Sequence, residues 1–502
     1  MNQRKGITPN ILLITTDQQR YDHLGIAGMR AIPTPHLDRL GTEGLHFNRA
    51  YCPSPICTPT RVSLLTGQYP SSHHAYSIGV TPDPFPAPAL PDALTASGYR
   101  TALFGKHHFV SRIDEDRHIS GSDKPDKEFY EKFAGPYLGF QEFQGSSGHT
   151  INTRVEGHYK IWLDKQRADY TRWFPRLGGQ YDHKRCGVWD IPAEYHDTQW
   201  VGNVTTDYIE RSSGRSEPWF CWASFQDPHE PFVCPEPWYY RVDESKIELP
   251  EGYREGEFDD RHPIYSGTSH NDLAPWHDEK GVPCVQGKDA YAGKEREAMR
   301  ATLGMIGFID EQVGRFLRAL KDTDQDRNTL VVFTSDHGEM HGHHGLWGKG
   351  YTAYEDCQRV PFLAWGPGIV KTSGTTEAIA NLIDLPRTFL SLAGVDIPQG
   401  TQGADLSPVL EGSKDTVQDA TLIECRAVRD LNQRTLITER YKLIVYSDSE
   451  SGELYDLEND PDQYKNLWND RGQEPLRMDM LQRLARYELQ REGEGLPRRA
   501  FG

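Results

Sequence analysis

The sequence of 502 residues lacks any apolar run long enough to span a membrane. Its amino-terminal apolar run extends only from Ile11 to Ile14, which is too short for the core of a signal peptide and predicts a strand. We therefore expect a cytoplasmic protein without a membrane partner. A periplasmic or secreted protein is the alternative if a leader was removed.

The sequence also lacks net positive charge. Its 55 Lys and Arg residues oppose 73 Asp and Glu residues, which gives a formal net charge of −18. This balance disfavours nucleic acids and anionic membranes as partners. An anionic substrate would have to be bound by a locally basic pocket, because the overall field of the protein repels it.

Paired cysteines are missing as well. The eight cysteines form no Cys-x-x-Cys pair and show no zinc-ligand spacing. In a long chain, we expect such cysteines to be reduced thiols that are mostly buried as small apolar side chains. The cluster of His341, His343 and His344 could bind a first-row metal. We interpret it instead as a loop that carries Lys349.

Short apolar runs predict the fold. Each run is continuous, as in strands that are buried on both faces of a parallel sheet. The predicted strands are Ile11–Thr15, Thr101–Phe104, Trp219–Phe225, Leu330–Thr334 and Val360–Trp365. A helical period from Ala298 to Leu320 leads into the fourth run. We predict an α/β fold with a large mixed, mostly parallel sheet sandwiched by helices.

The pattern changes near residue 415. Short β-rich runs follow there, and an amphipathic segment closes the chain; they are 421–425, 435–438, 442–446 and Pro475–Gln490. We predict a catalytic domain over residues 1–414. A smaller α+β domain with an antiparallel sheet and a closing helix is predicted over residues 415–502.

Polar residues follow the first four predicted strands. They are Asp17, then Lys106 and His108, then His229, and finally Asp336 with His337. In open α/β sheets, ligands bind beyond the carboxyl ends of the strands, so we expect these side chains to converge. The stretches 114–192 and 233–294 are rich in Gly, Asp and Tyr, and we expect long loops over the rim of this site.

The segment Cys57-Thr-Pro-Thr-Arg61 predicts the start of a helix. Pro59 suits its first turn, and Gly67 suits its end. Cys57 would then lie at the helix N-terminus, where backbone N–H groups favour an anion, and Arg61 would point back toward it. A short motif alone is also compatible with a structural cysteine beside a surface arginine.

Together with the Ser-Leu-Leu-Thr-Gly that follows shortly after it, this segment resembles the Cys-x-Pro-x-Arg signature of the type I sulfatases, in the alkaline phosphatase-like superfamily. Further motifs of that family are resembled in family order along most of the chain. They are Thr16-Asp17-Gln18, Gly105-Lys106-His107-His108, residues 227–232, residues 335–339, Gly348-Lys349 and residues 453–467. In that family, a maturating enzyme oxidises the signature cysteine to formylglycine.

The resemblance implies a mechanism. Formylglycine at position 57 would be hydrated to a gem-diol, and one hydroxyl would attack sulfur. His229 would protonate the leaving alcohol with help from Lys349, and His108 would remove the proton that lets the intermediate expel sulfate. The charge on the sulfate oxygens would be offset by basic side chains: Arg61, Lys106 and Lys349.

The resemblance also implies one divalent metal. Its implied ligands are Asp17, Gln18, Cys57, Asp336 and His337. Many family members have Asp-Asp and Asp-Asn where this chain has Asp17-Gln18 and Asp336-His337. The metal would lose a carboxylate and gain an imidazole. We expect Ca²⁺, with Mn²⁺ or Mg²⁺ as alternatives.

The substrate is predicted to be a sulfated carbohydrate, with His73 and His74 among the residues that bind it. Asp-Gln with Asp-His also occurs in relatives that resemble choline sulfatases and phosphonate monoester hydrolases. The latter typically replace the Lys and His that this chain retains as Lys106 and His108, which favours sulfate esters. Choline or aryl sulfate, a phosphonate or phosphate ester, and a non-catalytic binding role remain alternatives. The implied protein partner is the maturating enzyme, and a homo-oligomer is left open.

Overall fold

A computed structural model describes residues 8–78, 80, 82, 85–86, 88–109, 127–146, 157–168, 173, 185–265, 285–286, 290–428 and 431–491. Its strands are β1 (Asn10–Thr16), β2 (Leu45–Tyr51), β3 (Arg100–Lys106), β4 (Glu142–Ser146), β5 (Cys186–Trp189), β6 (Trp219–Ser224), β7 (Phe232–Pro235), β8 (Val285–Gln286), β9 (Thr329–Ser335), β10 (Trp347–Gly348), β11 (Phe362–Trp365), β12 (Gly374–Asn381), β13 (Ala420–Val428), β14 (Leu431–Thr438), β15 (Tyr441–Tyr446) and β16 (Glu453–Asp456).

The α-helices flank these strands. They are Pro35–Glu43, Cys57–Thr66, Pro70–His73, Leu90–Ala96, Lys127–Lys132, Gly157–Lys165, Asp197–Arg211, Glu236–Tyr239, Glu295–Asp322, Glu355–Gln358, Asp384–Ala393, Ser407–Leu410 and Glu474–Arg491. Among the helices of the described residues, none combines the length and the apolar composition that crossing a bilayer would require.

The central sheet has eight strands in the order β12-β2-β11-β9-β1-β6-β3-β4. All neighbours pair in parallel except β11, which runs antiparallel to both β2 and β9. This confirms the predicted mixed, mostly parallel sheet. The chain between β9 and β11, residues 336–361, contains β10 and the short helix Glu355–Gln358.

Both faces of the sheet are buried, which explains its unbroken apolar runs. Leu12 and Ile14 of β1 pack on one face with the long helix Glu295–Asp322. Ile11 and Leu13 pack on the other face, where the fully buried helix Cys57–Thr66 contributes to the core. Packing against this face of the sheet therefore holds the helix Cys57–Thr66 in place. The carboxyl ends of the sheet's parallel strands lie at one edge.

Two sequence predictions need correction. The stretch predicted as rim loops from residue 114 to residue 192 contains, where it is described, two helices and strands β4 and β5. Strand β4 extends the sheet by pairing with β3. The stretch 233–294 likewise includes most of β7 and the helix Glu236–Tyr239. Tertiary pairing decides these short strands, since their local patterns are weak. Other parts of both stretches lie outside the described residues.

The carboxyl-terminal strands form a separate antiparallel sheet in the order β13-β14-β15-β16. The closing helix Glu474–Arg491 packs on it through an apolar cluster that includes Leu422, Leu436, Leu443, Met480 and Leu484. This confirms the smaller α+β unit. The boundary between residues 414 and 415 remains a prediction.

Candidate active site

Cys57 is the first residue of its helix and is completely buried. The helix ends at Gly67, whose φ of 65° is left-handed, as the sequence predicted. Burial raises the pKa of the Cys57 thiol to about 11. At neutral pH the unmodified residue is therefore a protonated thiol and not an activated thiolate.

A compact group of potential metal ligands surrounds this thiol. The donor atoms of Asp17, Cys57, Asp336 and His337 all lie within 4.8 Å of one another, and all four residues are buried. Asp17 follows β1, and Asp336 follows β9, which pairs in parallel with β1. The structure thus brings together the residues that follow two adjacent strands, as the sequence predicted.

His337 is prepared to bind through one nitrogen. Its Nδ1 lies 2.9 Å from the carbonyl oxygen of Gly338, so Nδ1 carries the ring proton. The other nitrogen, Nε2, faces the Cys57 Sγ at 3.2 Å. Burial lowers the pKa of His337 to about 3, so the ring is neutral and Nε2 keeps a lone pair.

Gln18 follows Asp17 and is tied to this group through its backbone. Its backbone N–H donates to the Asp336 Oδ1 at 3.2 Å, and its φ of 65° lies in the left-handed region. The side-chain Nε2 donates to the carboxylates of Glu230 and Glu339. The buried Oε1 has no hydrogen-bond partner in the described structure. An orphaned buried oxygen of this kind suits a cation.

These donors fit a divalent metal. Carboxylate and amide oxygens suit Ca²⁺, Mg²⁺ or Mn²⁺, and one neutral imidazole favours a transition ion. The residues that would hold the metal are the five predicted from sequence: Asp17, Gln18, Cys57, Asp336 and His337.

Arg61 is bonded to its neighbours through part of its guanidinium group, and its buried Nη2 has no hydrogen-bond partner among the described residues. Its Nε donates to the Asp336 Oδ2 at 2.8 Å, and both side chains are inaccessible to solvent. Its Nη1 donates to the Ser224 hydroxyl at 2.8 Å and to the Lys106 carbonyl at 3.2 Å. Burial opposes ionisation of Asp336, but its neighbours His337, Arg61 and Lys106 hold its pKa below the usual value.

Lys106 ends β3, and its ammonium group forms a buried ion pair with Asp17. Gly105 before it has a φ of 99°. A side chain at Gly105 would also collide with the Ser224 carbonyl on the neighbouring strand. Glycine at this position therefore lets β3 approach β6 closely enough to place Lys106 beside the metal ligands.

Lys349 lies directly after β10 and contacts the Cys57 thiol. Its Nζ lies 3.1 Å from the Cys57 Sγ and 2.6 Å from the His229 Nε2. Gly348 and Gly350 flank it with φ values of 87° and 103°. Burial lowers the pKa of Lys349, but its contact with the Cys57 side chain and the negative charges of Glu230 and Asp336 raise it above its ordinary value overall. The side chain is therefore an ammonium group.

His229 faces this ammonium group through a defined nitrogen. Its Nδ1 lies 2.7 Å from the Glu230 carbonyl oxygen and donates to it, which leaves Nε2 as the acceptor toward Lys349. His108 lies on the loop after β3, two residues beyond Lys106. Its carbonyl accepts from the Thr58 hydroxyl at 3.0 Å, which ties this loop to the helix that begins at Cys57.

The structure does not bring His73 into this group. Its Nε2 lies 3.0 Å from the Ser63 hydroxyl, and its Nδ1 accepts from the Ala75 N–H at 3.1 Å. Both nitrogens are thus used inside the protein, and the ring is buried. His74 is exposed and contacts Tyr76. Adjacency along the chain does not show which of two neighbouring side chains turns inward, and substrate binding by these two residues stays a prediction.

Several polar residues of the site carried no sequence prediction. Ser224 anchors Arg61, while Glu230 and Glu339 bind the Gln18 amide. The signal for the two glutamates was the glutamine itself, because a buried side-chain NH₂ group needs acceptors. His341, His343 and His344 form the loop before Lys349, as interpreted from sequence.

The seven described cysteines, which exclude Cys284, are free thiols. Six of these seven are buried, as expected for small apolar side chains. Cys284 lies outside the described residues.

Comparison with known proteins gives a consistent result. Residues 9–395 match the family model described as Sulfatase, and residues 342–490 match N-sulphoglucosamine sulphohydrolase, C-terminal. An arylsulfatase of Clostridium perfringens is 30% identical over 97% of this chain and 95% of that protein. An N-acetylglucosamine-6-O-sulfatase of Bacteroides thetaiotaomicron is 26% identical over 92% of this chain and 82% of that protein. The crystal structure of a phosphonate monoester hydrolase of Agrobacterium radiobacter shares the fold, with a TM-score of 0.78, 23% identity and 97% coverage of both chains.

Proposed function

The chain belongs to the sulfatase family and is a sulfuric ester hydrolase, and we propose that it acts through formylglycine formed from Cys57 and one divalent metal. The main support for this proposal is the position of the Cys57 Sγ. It lies between the metal-ligand group and the Lys349 ammonium, 3.2 Å from the His337 Nε2 and 3.1 Å from the Lys349 Nζ. In the modified enzyme, the hydroxyl oxygens of hydrated formylglycine take the place of this sulfur.

Formylglycine supplies two hydroxyls on one carbon, so one can attack sulfur and the other can later expel sulfate. A divalent metal supplies positive charge that favours an ionised hydroxyl at this position. Both roles need the residue to be held rigidly, and the buried helix Cys57–Thr66 does this. A maturating enzyme is the proposed protein partner, because the chain itself carries only a cysteine at position 57.

The basic residues have distinct proposed roles. Lys349, whose Nζ lies 3.1 Å from the Cys57 Sγ, and Lys106, which pairs with Asp17, stabilise the sulfate oxygens. Arg61 orients Asp336 through its Nε, and its Nη2, which has no hydrogen-bond partner among the described residues, is proposed to offset charge on the sulfate oxygens. Lys349 and His229 share a hydrogen bond of 2.6 Å, so this pair can pass a proton to the leaving alcohol oxygen. His108 is the proposed base for the step that releases sulfate.

The proposed substrate is a sulfated carbohydrate. Support comes from the similarity to a protein named N-acetylglucosamine-6-O-sulfatase. The similarity to a protein named arylsulfatase supports a small organic sulfate as the alternative. Retention of Lys106 and His108 supports sulfate over phosphonate esters. The catalytic domain is proposed to end at residue 414.

The test is a rate comparison on enzyme of known formylglycine content. The chain is produced with a maturating enzyme, and peptide mass spectrometry gives the fraction of position 57 that is aldehyde. Turnover of 4-nitrophenyl sulfate should rise in proportion to that fraction and exceed turnover of 4-nitrophenyl phosphate. Sulfated sugars and choline sulfate are then compared at equal metal concentration.

Cys57→Ala should lose turnover by at least about a thousandfold while keeping the fold. Cys186→Ala is the matched control, because this half-buried cysteine lies outside the site and should leave turnover unchanged. Full activity with unmodified Cys57 would contradict the formylglycine proposal. Equal kcat/KM for the aryl sulfate and the aryl phosphate would contradict the preference for sulfate esters.

A further inference from the structure

The amide of Gln18 is bracketed by two carboxylates. Gln18 and Glu339 are almost inaccessible to solvent, at 1% and 0% exposure, and Glu230 is half-buried. The Gln18 Nε2 donates one hydrogen bond to Glu230 and one to Glu339. An amide NH₂ group has two hydrogens, so both of its donors are used. The amide nitrogen is therefore committed to the glutamates, and its oxygen must face elsewhere.

Glu339 cannot turn away from this contact. Its other oxygen, Oε1, accepts from the Gly348 N–H at 2.5 Å and from the His341 N–H at 3.2 Å. These backbone bonds fix the carboxylate, and they come from the loop that presents Lys349. Gln18 is fixed from its own backbone by its bond to Asp336. Two rigid elements therefore meet at the Gln18 amide.

We infer that Glu339, assisted by Glu230, is a positioning residue that sets the orientation of the Gln18 amide and so makes Gln18 an oxygen ligand for the metal. The inference rests on the proposed metal site and deepens it. An amide can present either oxygen or nitrogen to a cation, and only oxygen binds. Two carboxylates around Nε2 remove the unproductive orientation. They also explain why position 18 carries no acid, since a third carboxylate there would meet two others.

Glu339→Gln is the direct test. The new amide can keep its oxygen toward Gly348 and His341, which places its NH₂ group against that of Gln18. Two facing donors repel, so Gln18 should rotate, accept from residue 339 and turn its nitrogen toward the metal position. Calorimetric titration of metal-free protein with Mn²⁺ and with Ca²⁺ should show binding about 10- to 100-fold weaker than in the parent chain.

Two further variants show whether the effect passes through Gln18. Gln18→Ala combined with Glu339→Gln should bind metal no more weakly than Gln18→Ala alone, because the amide to be oriented is gone. Gln18→Glu combined with Glu339→Gln should bind more tightly than Glu339→Gln alone. In this exchange, the carboxylate at position 18 accepts from the new amide and keeps an oxygen for the metal.

The matched control is Glu453→Gln, which changes a buried carboxylate of the carboxyl-terminal sheet and should leave metal affinity unchanged. Melting temperatures identify any variant that fails to fold, and the exchange variant still decides the case. Metal affinity retained by Glu339→Gln, or additive losses in the double variant, would overturn the inference. Absence of metal binding by the parent chain would overturn it together with the metal site. Metal binding without sulfate ester turnover would overturn the proposed function alone.

Discussion

Replacing Arg61 with alanine removes a fully buried guanidinium group that forms an ion pair with Asp336. The change deletes the 2.8 Å ion pair and the hydrogen bonds to Ser224 and the Lys106 carbonyl. Removing one partner of a buried pair leaves the other charge uncompensated, at a cost of about 3–5 kcal/mol. We expect the free energy of unfolding of metal-free protein to fall by about 4 kcal/mol.

Metal should reduce this loss. A divalent cation near Asp336 compensates the charge that Arg61 no longer balances, so the destabilisation at saturating Mn²⁺ should be smaller than in EDTA. Urea denaturation followed by tryptophan fluorescence measures both values. Since this experiment needs no substrate, it tests the electrostatic argument separately from catalysis.

The control is Arg241→Ala. Arg241 lies 3.4 Å from Glu311, and both side chains are about half exposed, so its removal should cost less than about 1 kcal/mol with or without metal. The reasoning about Arg61 would be refuted if Arg61→Ala matched the parent chain in EDTA. A loss of the same size with and without metal would refute the coupling to the metal site.

Two further predictions concern buried groups. Burial lowers the pKa of His73 to about 3, below the unfolded value of about 6.5, so the unfolded chain binds more protons and stability falls as pH drops below about 6.5. Between pH 7 and pH 5 the free energy of unfolding should therefore fall by about 2 kcal/mol, and His73→Gln should abolish this fall. Urea denaturation at both pH values checks it, and an equal pH dependence of stability in the parent chain and the variant would contradict it. Gly105→Ala should lower the free energy of unfolding by more than about 2 kcal/mol and abolish most activity, because the new methyl group meets the Ser224 carbonyl. Urea denaturation and turnover measure the two effects. The control is Gly98→Ala, where φ is 91° but a methyl group meets no neighbour, and the free energy of unfolding should fall by only about 1 kcal/mol. Equal losses in the two variants would show that the contact with the Ser224 carbonyl is unimportant.

Much of the fold could be predicted because burial on both faces leaves a direct signature. Strands β1, β3, β6 and β9 are continuous apolar runs, and all four were located from sequence. Strands β2, β4 and β12 were missed. Strand β12 alternates at its exposed start, and β2 contains Asn48 and Arg49, so neither has a purely apolar pattern. Their place in the sheet depends on partners far along the chain.

The sequence by itself determined which residues could form the site, because strand ends and the Cys57 segment are local features. Tertiary structure decided how those residues divide the work. Arg61 is bound to Asp336, Lys106 to Asp17, and His73 is turned into the core. These outcomes depend on which charges meet when separate strands are placed side by side. Local sequence does not contain that distance information, and burial makes each such pairing obligatory.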